Sequence, residues 1–276
     1  MYSKLKFLPF LLIALSAIIG FSCSSKDDND PVVVDTSIIV EISDVNQKIE
    51  DLDNLTLSAL EDLGLSSRKS NIAYGDYCSS VVIIKDQEIK TISIDFGNGC
   101  VSPNGVNRKG KILIKYSGAL LVPGANIETT FEGYEVNGYK IEGTRTITNT
   151  KLDIFANSIT LAVKIENGKV TFPDGGFVTI NTTEERIVTL TSTGYEGSIT
   201  GTASGNSKDG KAFTSTIIDP LEITQSCIES GVYNPTSGQI EFTYIGIKMT
   251  LDYGTGACDK DATITYPGGV KNITFD

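Results

Sequence analysis

The chain has 276 residues and a formal net charge of −11, contains five cysteines, and lacks both histidine and tryptophan. Without histidine it cannot form a Ser-His-Asp triad, a Cys-His dyad or an imidazole metal site. The 34 acidic side chains outnumber the 23 basic ones, which disfavours nucleic acid as a partner because such binding depends on Lys and Arg neutralising phosphates. Hydrophobic residues make up 40% of the chain and charged residues 21%, as is typical of globular proteins.

The N-terminus carries the pattern of an export signal. Lys4 and Lys6 precede an apolar run of about 13 residues, Phe7–Ile19, which is long enough for a signal peptide. It is shorter than the about 20 residues that a membrane-spanning helix needs. A small serine lies immediately before Cys23, so residues 1–22 are predicted to be a signal peptide.

The residues around Cys23 resemble the lipobox of bacterial lipoproteins, in which the cysteine is lipidated and becomes the mature N-terminus. Gly20 departs from the aliphatic residue that is usual three positions before that cysteine. The following Ser24-Ser-Lys-Asp-Asp28 resembles the acidic export signal of Bacteroidetes surface lipoproteins. The resemblance implies a lipid anchor in the outer membrane and exposure at the cell surface. The alternative is an ordinary signal peptide, with Cys23 an incidental thiol.

Residues 23–43 are predicted to be the lipidated cysteine and a flexible tether, because runs of Asp and Ser beside an anchor are well solvated. Cleavage removes Lys4 and Lys6 and no acidic residue. The mature chain then has 21 basic against 34 acidic side chains, a net charge of −13.

A helical segment is predicted over residues 44–75. From Asp44 to Leu63, apolar residues recur at the spacing of one helical face. Asp44 is the predicted N-cap, Gln47 occupies the capping-box position, and Gly64 is the predicted C-cap. This amphipathic helix should either lie against a sheet or form a spacer above the membrane.

Residues 76–276 are predicted to form an all-β domain of about fourteen strands. Short Thr-, Ile- and Val-rich runs with alternating polarity are separated by tight turns. The predicted strands are 91–96, 111–117, 127–136, 139–149, 158–166, 170–173, 177–182, 187–193, 198–203, 212–218, 239–244, 248–253, 262–266 and 270–275. The predicted turns are Asn104-Gly105, Asn137-Gly138, Asn167-Gly168, Asp174-Gly175 and Asp209-Gly210. Such local connections favour an antiparallel meander, either a sandwich or one large curled sheet.

Two segments of the β region repeat each other. Ile92-Ser-Ile-Asp-Phe-Gly-Asn-Gly-Cys100 and Met249-Thr-Leu-Asp-Tyr-Gly-Thr-Gly-Ala-Cys258 each end a strand in Asp, an aromatic residue and a Gly-x-Gly turn before a cysteine. Each has a cysteine upstream, Cys78 and Cys227. With Cys23 lipidated, four cysteines remain, and in an oxidising compartment they could form two disulfides in three ways. The repeat predicts Cys78–Cys100 and Cys227–Cys258.

The aspartates of the repeat, Asp95 and Asp252, are predicted to accept hydrogen bonds from the backbone of their Gly-x-Gly turns. A calcium site at these turns is the alternative interpretation, although no Asp-x-Asp-x-Asp-Gly run supports it. The sequence also lacks the clustered Cys-x-x-Cys pairs of a zinc site. We therefore expect neither a metal ion nor a cofactor.

Carboxylate pairs are the candidate catalytic groups, because a glycosidase needs two carboxylates about 5 to 10 Å apart. The candidate pairs are Glu184 with Glu185, Glu132 with Glu135, and Asp259 with Asp261. No motif distinguishes any of them, and in an acidic β protein such residues usually solvate exposed strands and turns. The sequence therefore predicts no catalytic residue, and a carboxylate-dependent surface enzyme acting on polysaccharide remains the alternative.

Aromatic residues could contribute to a binding surface. The absence of tryptophan weakens a carbohydrate-binding interpretation, since sugar platforms depend on large aromatic faces. Phe131, Tyr134 and Tyr139 surround one predicted hairpin, and packing in the core or across strands is the favoured role for them.

Several segments of the β domain, taken in order, resemble a group of uncharacterised Bacteroidetes surface lipoproteins. The segments are Ile94–Cys100, Arg108–Ile112, Phe131–Gly138, Ile141–Thr144 and Leu251–Asp259. The resemblance spans most of residues 78–276 and implies a β-rich body and a surface location, but no activity. We therefore expect a non-enzymatic, lipid-anchored outer-membrane protein that acts as a binding or structural module for an extracellular ligand or an envelope partner.

Overall fold

The computed structural model describes residues 34–61, 63 and 77–275. They form two helices, α1 (Ser37–Glu61) and α2 (Gln225–Glu229), and fourteen strands. The strands are β1 (Val82–Asp86), β2 (Thr91–Asp95), β3 (Cys100–Val101), β4 (Asn107–Tyr116), β5 (Asn126–Val136), β6 (Tyr139–Asp153), β7 (Ser158–Thr171), β8 (Phe177–Thr191), β9 (Gly194–Asn206), β10 (Ala212–Thr224), β11 (Ser237–Tyr244), β12 (Ile247–Thr255), β13 (Asp261–Tyr266) and β14 (Gly269–Thr274).

All fourteen strands belong to one antiparallel sheet. Each pairs with its neighbours in sequence from β1 to β14, except that β4 follows β2 directly and the short β3 pairs with β4 alone. Strands β1 and β14 lie at the two ends of this order. The expected all-β antiparallel meander is therefore confirmed, and of the two arrangements considered it is a single sheet.

The number of strands agrees with the sequence prediction, but two compensating differences lie behind that agreement. Strands β1 and β3 were not predicted. The segments predicted as four separate strands between residues 158 and 193 are only two, β7 and β8. Strand β7 is long because its pairing continues through a local irregularity. Strand β8 is long because it pairs with β9 without interruption through its polar residues 183–186.

The predicted turn at Asn167-Gly168 is wrong, since these residues form a bulge within β7. The pairing with β8 shifts register between Ile165 and Gly168, and Asn167 adopts the left-handed conformation with φ 53°. The backbone N–H of Asn167 donates to the side-chain oxygen of Asn181 at 2.9 Å. An Asn-Gly pair supplies the left-handed residue that a turn and a bulge both need, so the dipeptide alone does not distinguish them.

Helix α1 begins seven residues before the predicted start. Its first turn follows Asp35, whose side chain accepts a hydrogen bond from the backbone of Ser37 at 2.9 Å. Asp44 is thus not an N-cap but lies inside the helix, where it pairs with Lys48 at 2.9 Å. The last seven residues of the predicted tether are helical. Gly64 and the remainder of the predicted helical segment up to residue 75 lie outside the described residues.

The apolar face of α1 is buried in the same core as the sheet. The predicted Val45, Ile49, Leu52, Ala59 and Leu60 are all at most 5% exposed, and Leu63 is half-buried. The N-terminal extension of the helix adds Ile38, Ile39 and Ile42 to this face. Of the two predicted roles, α1 therefore packs against the sheet.

The sheet curves around α1, because strands from both halves of the meander contact it or the residues just before it. Arg108 of β4 binds Asp51 of the helix, and Lys271 of β14 donates to Thr36 at 3.3 Å. Within the described residues, no helix is long and apolar enough to cross a membrane. The predicted signal peptide and Cys23 lie outside those residues.

Candidate functional site

Three arginines on alternate strands bind the acidic side of α1. Arg108 of β4 contacts both carboxylate oxygens of Asp51, at 2.8 and 3.0 Å. Arg145 of β6 makes a two-pronged pair with Asp53, at 2.5 and 2.6 Å. Arg108 and Arg145 are only 2% and 3% exposed. Paired and planar contacts of this kind fix the orientation of both partners, so they set the position of the helix on the sheet.

Arg186 of β8 makes the third contact, and its guanidinium binds three carboxylates. It binds Glu50 of the helix at 2.6 and 2.9 Å, and Glu184 of its own strand at 2.5 and 2.9 Å. Asp53 lies 3.4 Å away, so Arg186 and Arg145 share this carboxylate. We call Glu50, Asp53, Arg145, Glu184 and Arg186 the arginine–carboxylate cluster.

The cluster holds the carboxyl group of Glu50 in the ionised form. The side chain of Glu50 is 46% exposed. Its partial burial alone would raise its pKa, but the positive charges of Arg186 and Arg145 outweigh this effect and lower the pKa to about 2. Burial likewise opposes the charge of Arg186, yet its carboxylate partners raise the pKa of its guanidinium well above the ordinary value. Groups with these pKa values exchange no protons near neutral pH, so the cluster is suited to holding the helix rather than to acid–base chemistry.

None of the three carboxylate pairs proposed from the sequence converges on a cleft. Glu184 and Glu185 are adjacent in β8 and therefore point to opposite faces of the sheet. Glu135 of β5 pairs with Lys109 of the neighbouring β4 at 2.9 Å, and Glu132 is exposed. Asp259 and Asp261 lie in and beside an exposed turn, where the carboxylate of Asp259 accepts a hydrogen bond from the backbone of Asp261 at 3.0 Å.

The predicted role of the repeated aspartates is confirmed. Asp95 accepts a hydrogen bond from the backbone of Gly97, and Asp252 accepts one from the backbone of Gly254, both at 2.8 Å. The first glycine of each turn has a positive φ, 61° and 87°. The two segments therefore repeat in conformation as well as in sequence. This hydrogen bond, together with Lys111, lowers the pKa of Asp95.

The cysteines of each repeat lie at disulfide distance from their upstream partners, in agreement with the expected pairing. The Cα atoms of Cys78 and Cys100 are 6.0 Å apart, and those of Cys227 and Cys258 are 5.2 Å apart. Both distances fall in the range that a disulfide requires. Each bridge closes a segment of two neighbouring strands, near opposite ends of the sheet.

The aromatic side chains at the β5–β6 hairpin have packing roles. Tyr134 is fully buried, and its ring stacks on Phe131 with centroids 5.8 Å apart. Tyr139 packs edge-on against Phe172 at 5.2 Å. These contacts agree with the packing role favoured by the sequence.

Beyond the arginine–carboxylate cluster, large apolar side chains are exposed at the ends of β6 and β8 and in the β6–β7 turn. Leu152, Ile154, Phe155 and Leu190 are 40%, 68%, 94% and 62% exposed; we call them the apolar sheet end. They lie at neighbouring strand ends, since the backbone N–H of Leu190 donates to Asn157 in the β6–β7 turn at 2.9 Å. Such an exposed group of large side chains on a folded protein is typical of an interaction site.

The sequence prediction missed both the cluster and the apolar sheet end, although it contained one usable signal. Arg145 lies between Thr144 and Thr146, so the alternation of a strand places it on the face opposite to the threonines, toward the core. A buried arginine needs a carboxylate partner. Its partner Asp53 is 92 positions away, a distance over which no local pattern could identify it.

Among the described residues, no group of three or more His, Cys, Asp or Glu side chains is arranged to hold a metal ion. In comparisons with known proteins, no family model, no curated protein and no solved structure matches the chain.

Proposed function

We propose that this chain is a non-enzymatic lipoprotein, anchored in the outer membrane through Cys23 and exposed at the cell surface, where it acts as a binding or structural module. The observation that carries the binding role is the apolar sheet end, with four large apolar side chains exposed on one group of strand ends. The anchor is supported by the sequence alone, through the leader and the residues around Cys23.

The interior of the curved sheet is filled, which supports a scaffold that binds its ligand on the outer surface. Helix α1 occupies the inner face of the sheet, with nine of its apolar side chains at most 5% exposed. A cavity that remains between Ile49, Leu52 and the strands around Arg145 has a volume of about 10 Å³, room for about one water molecule. A small-molecule site usually needs several hundred Å³, so a ligand is better accommodated on the surface.

The anchor is tested by labelling cells with a palmitate analogue. We expect the wild-type chain to take up the label, to sediment with the outer membrane, and to be degraded when protease is added to intact cells. A Cys23→Ala variant should lose the label and the membrane association, because several buried acyl chains hold a lipoprotein almost permanently at about 0.8 kcal/mol per CH₂.

A matched control separates the anchor from a general effect of mutation. Ser25→Ala changes a neighbouring residue and leaves the cysteine in place, so its labelling and sedimentation should equal those of the wild type. Labelled Cys23→Ala would overturn the lipid anchor. Full resistance to protease on intact cells, with digestion after lysis, would overturn the surface location.

A further inference from the structure

The apolar sheet end belongs to a longer row of exposed apolar side chains along one end of the sheet. In a meander, successive turns alternate between the two ends of the strands, so the β1–β2, β4–β5, β6–β7 and β8–β9 turns lie at the same end. Two of these turns carry Ile89, Leu121 and Val122, which are 66%, 38% and 58% exposed. We call these three residues, together with the apolar sheet end, the apolar rim.

Hydrogen bonds between neighbouring turns make the apolar rim continuous. Lys90 in the β1–β2 turn donates to the backbone carbonyl of Ser117 in the β4–β5 loop at 2.8 Å. The side chain of Asn149 in β6 donates to the carbonyl of Leu120 in the same loop at 2.7 Å. The β8–β9 turn borders the β6–β7 turn through the bond from Leu190 described above. The rim therefore follows the curve of the sheet across these turns.

The β1–β2 and β6–β7 turns, which carry the most exposed side chains of the rim, have the same construction. Asp86 accepts hydrogen bonds from the backbone N–H groups two and three residues further on, at 2.9 and 3.1 Å. Asp153 does the same at 3.2 and 3.0 Å. Each turn ends in a left-handed residue, Lys90 with φ 55° and Asn157 with φ 50°. These N–H groups are satisfied inside the turn, so the tip can enter an apolar medium without leaving them unpaired.

The charges of the four turns are balanced, although the mature chain has a net charge of −13. Residues 85–90 contain two lysines, one aspartate and one glutamate, and residues 151–157 contain Lys151 and Asp153, which pair at 3.0 Å. Residues 117–125 and 189–195 carry no charged side chain. A neutral surface that presents both signs of charge at its edge is complementary to zwitterionic lipid headgroups. An anionic surface would instead be repelled by the chain as a whole.

The shape of the apolar rim also favours a lipid surface over a folded protein. A protein partner would need a complementary surface that reaches separate tips along a curved edge. A bilayer is fluid and apolar, so each tip can insert independently of the others, to a depth of about 5–10 Å. Exposed apolar groups of this kind are typical of protein or membrane contacts, and the division into separate neutral tips favours the membrane.

We propose that the apolar rim inserts into the interface of a zwitterionic lipid bilayer. This inference rests on the proposed binding role of the apolar sheet end, for which it names the partner. It does not depend on the lipid anchor at Cys23, because every residue that carries it lies in the described sheet.

The test measures sedimentation with vesicles of phosphatidylcholine. The chain from residue 24 onward retains all the described residues and lacks both leader and lipid. Phe155→Asp and Ile89→Asp should each lower its partition coefficient about tenfold, since each removes a large buried apolar side chain. The double variant should lower it about a hundredfold, because the two tips insert separately. The control is Ile245→Asp in the β11–β12 turn, which is 62% exposed but lies at the opposite end of the strands and should change it by less than about twofold.

A fluorescent label shows whether the tip itself enters the bilayer. A nitrobenzoxadiazole dye on Phe155→Cys should shift its emission to shorter wavelength on binding vesicles and be quenched by lipids spin-labelled on the upper acyl chain. The same dye on Ile245→Cys should show neither effect. Replacing half of the lipid by anionic phosphatidylglycerol should weaken binding of the unlabelled chain.

The outcomes separate this inference from the proposed function. No binding to phosphatidylcholine, or equal losses at positions 155 and 245, would overturn insertion of the rim and leave the anchor and a binding role for another partner standing. A dimer that forms without vesicles and is lost in Phe155→Asp would assign the rim to a second copy instead. Palmitate labelling of Cys23→Ala, which overturns the anchor, would leave vesicle binding by the rim unchanged.

Discussion

Replacing Arg145 by methionine tests whether the ion pairs fix α1 on the sheet. The arginine is 3% exposed and binds Asp53 through two bonds of 2.5 and 2.6 Å. Methionine fills much of the same space but leaves Asp53 with Arg186 alone, at 3.4 Å. Removing one partner of a buried pair costs about 3–5 kcal/mol. Since Asp53 keeps one arginine and is 15% exposed, we expect a loss near the lower value, about 3 kcal/mol.

Urea unfolding under non-reducing conditions measures this loss. With a dependence of about 2–3 kcal/mol per M urea, the midpoint of Arg145→Met should fall by about 1–1.5 M. The control is Lys151→Met, which breaks an exposed pair with Asp153 and should change the free energy of unfolding by less than about 0.5 kcal/mol. The double variant Arg145→Met/Asp53→Leu should recover most of the stability because it leaves no unpaired buried charge. If Arg145→Met is no less stable than Lys151→Met, the ion pairs do not hold the helix.

Three further predictions concern the disulfides, the pH dependence and the close packing of β8 and β9. Cys100→Ser and Cys258→Ser should each lower the free energy of unfolding by about 3–4 kcal/mol, since the bridges span 22 and 31 positions. Each variant should also leave one thiol that reacts with Ellman's reagent once the chain is unfolded, because Cys78 and Cys227 are buried in the fold. Because the pKa of Glu50 is lowered from 4.5 to about 2, its stabilising effect is present above pH 4.5 and is lost as the pH falls toward 2. The urea midpoint of Glu50→Gln should therefore decline less steeply over that interval than the wild-type midpoint, and parallel curves would show that the ionisation of Glu50 does not stabilise the fold. Gly205→Ala should lower the free energy of unfolding, measured by thermal unfolding, by about 2 kcal/mol or more, because the new Cβ would lie 1.8 Å from a backbone oxygen of β8. The control is Gly118→Ala, whose Cβ would point into open space and should leave the stability nearly unchanged.

The alternation of polar and apolar residues predicts the sheet because each strand buries one face on the core. It does not predict the length of strands whose pairing continues through a bulge, as β7 does at Asn167. The start of α1 was missed for a similar reason. Asp35 and Asp44 are equally suitable as N-terminal residues of a helix, and the choice between them depends on burying Ile38, Ile39 and Ile42 against the sheet. That burial is a tertiary effect with no local signal.

The candidate site was less predictable than the fold, because its contacts join residues far apart in sequence. The cysteine pairing could be inferred because a repeated motif supplied a second, independent copy of the pattern. No repeated motif indicates that Glu50 pairs with Arg186 or that Asp53 pairs with Arg145. The sequence also gave no sign that the apolar sheet end is exposed. Leu152 and Leu190 occupy strand positions that alternate like those of core residues, but α1 does not cover them.

Helix α1 connects the two disulfide-bridged ends of the sheet, and this explains why an N-terminal segment is part of the core. Asp51 binds Arg108, beside the first repeat. Tyr253 of the second repeat is half-buried. This burial raises its pKa to about 12, and a hydrogen bond to Ser43 acts in the opposite direction. The ends of the sheet therefore cannot move apart without breaking contacts to the same helix.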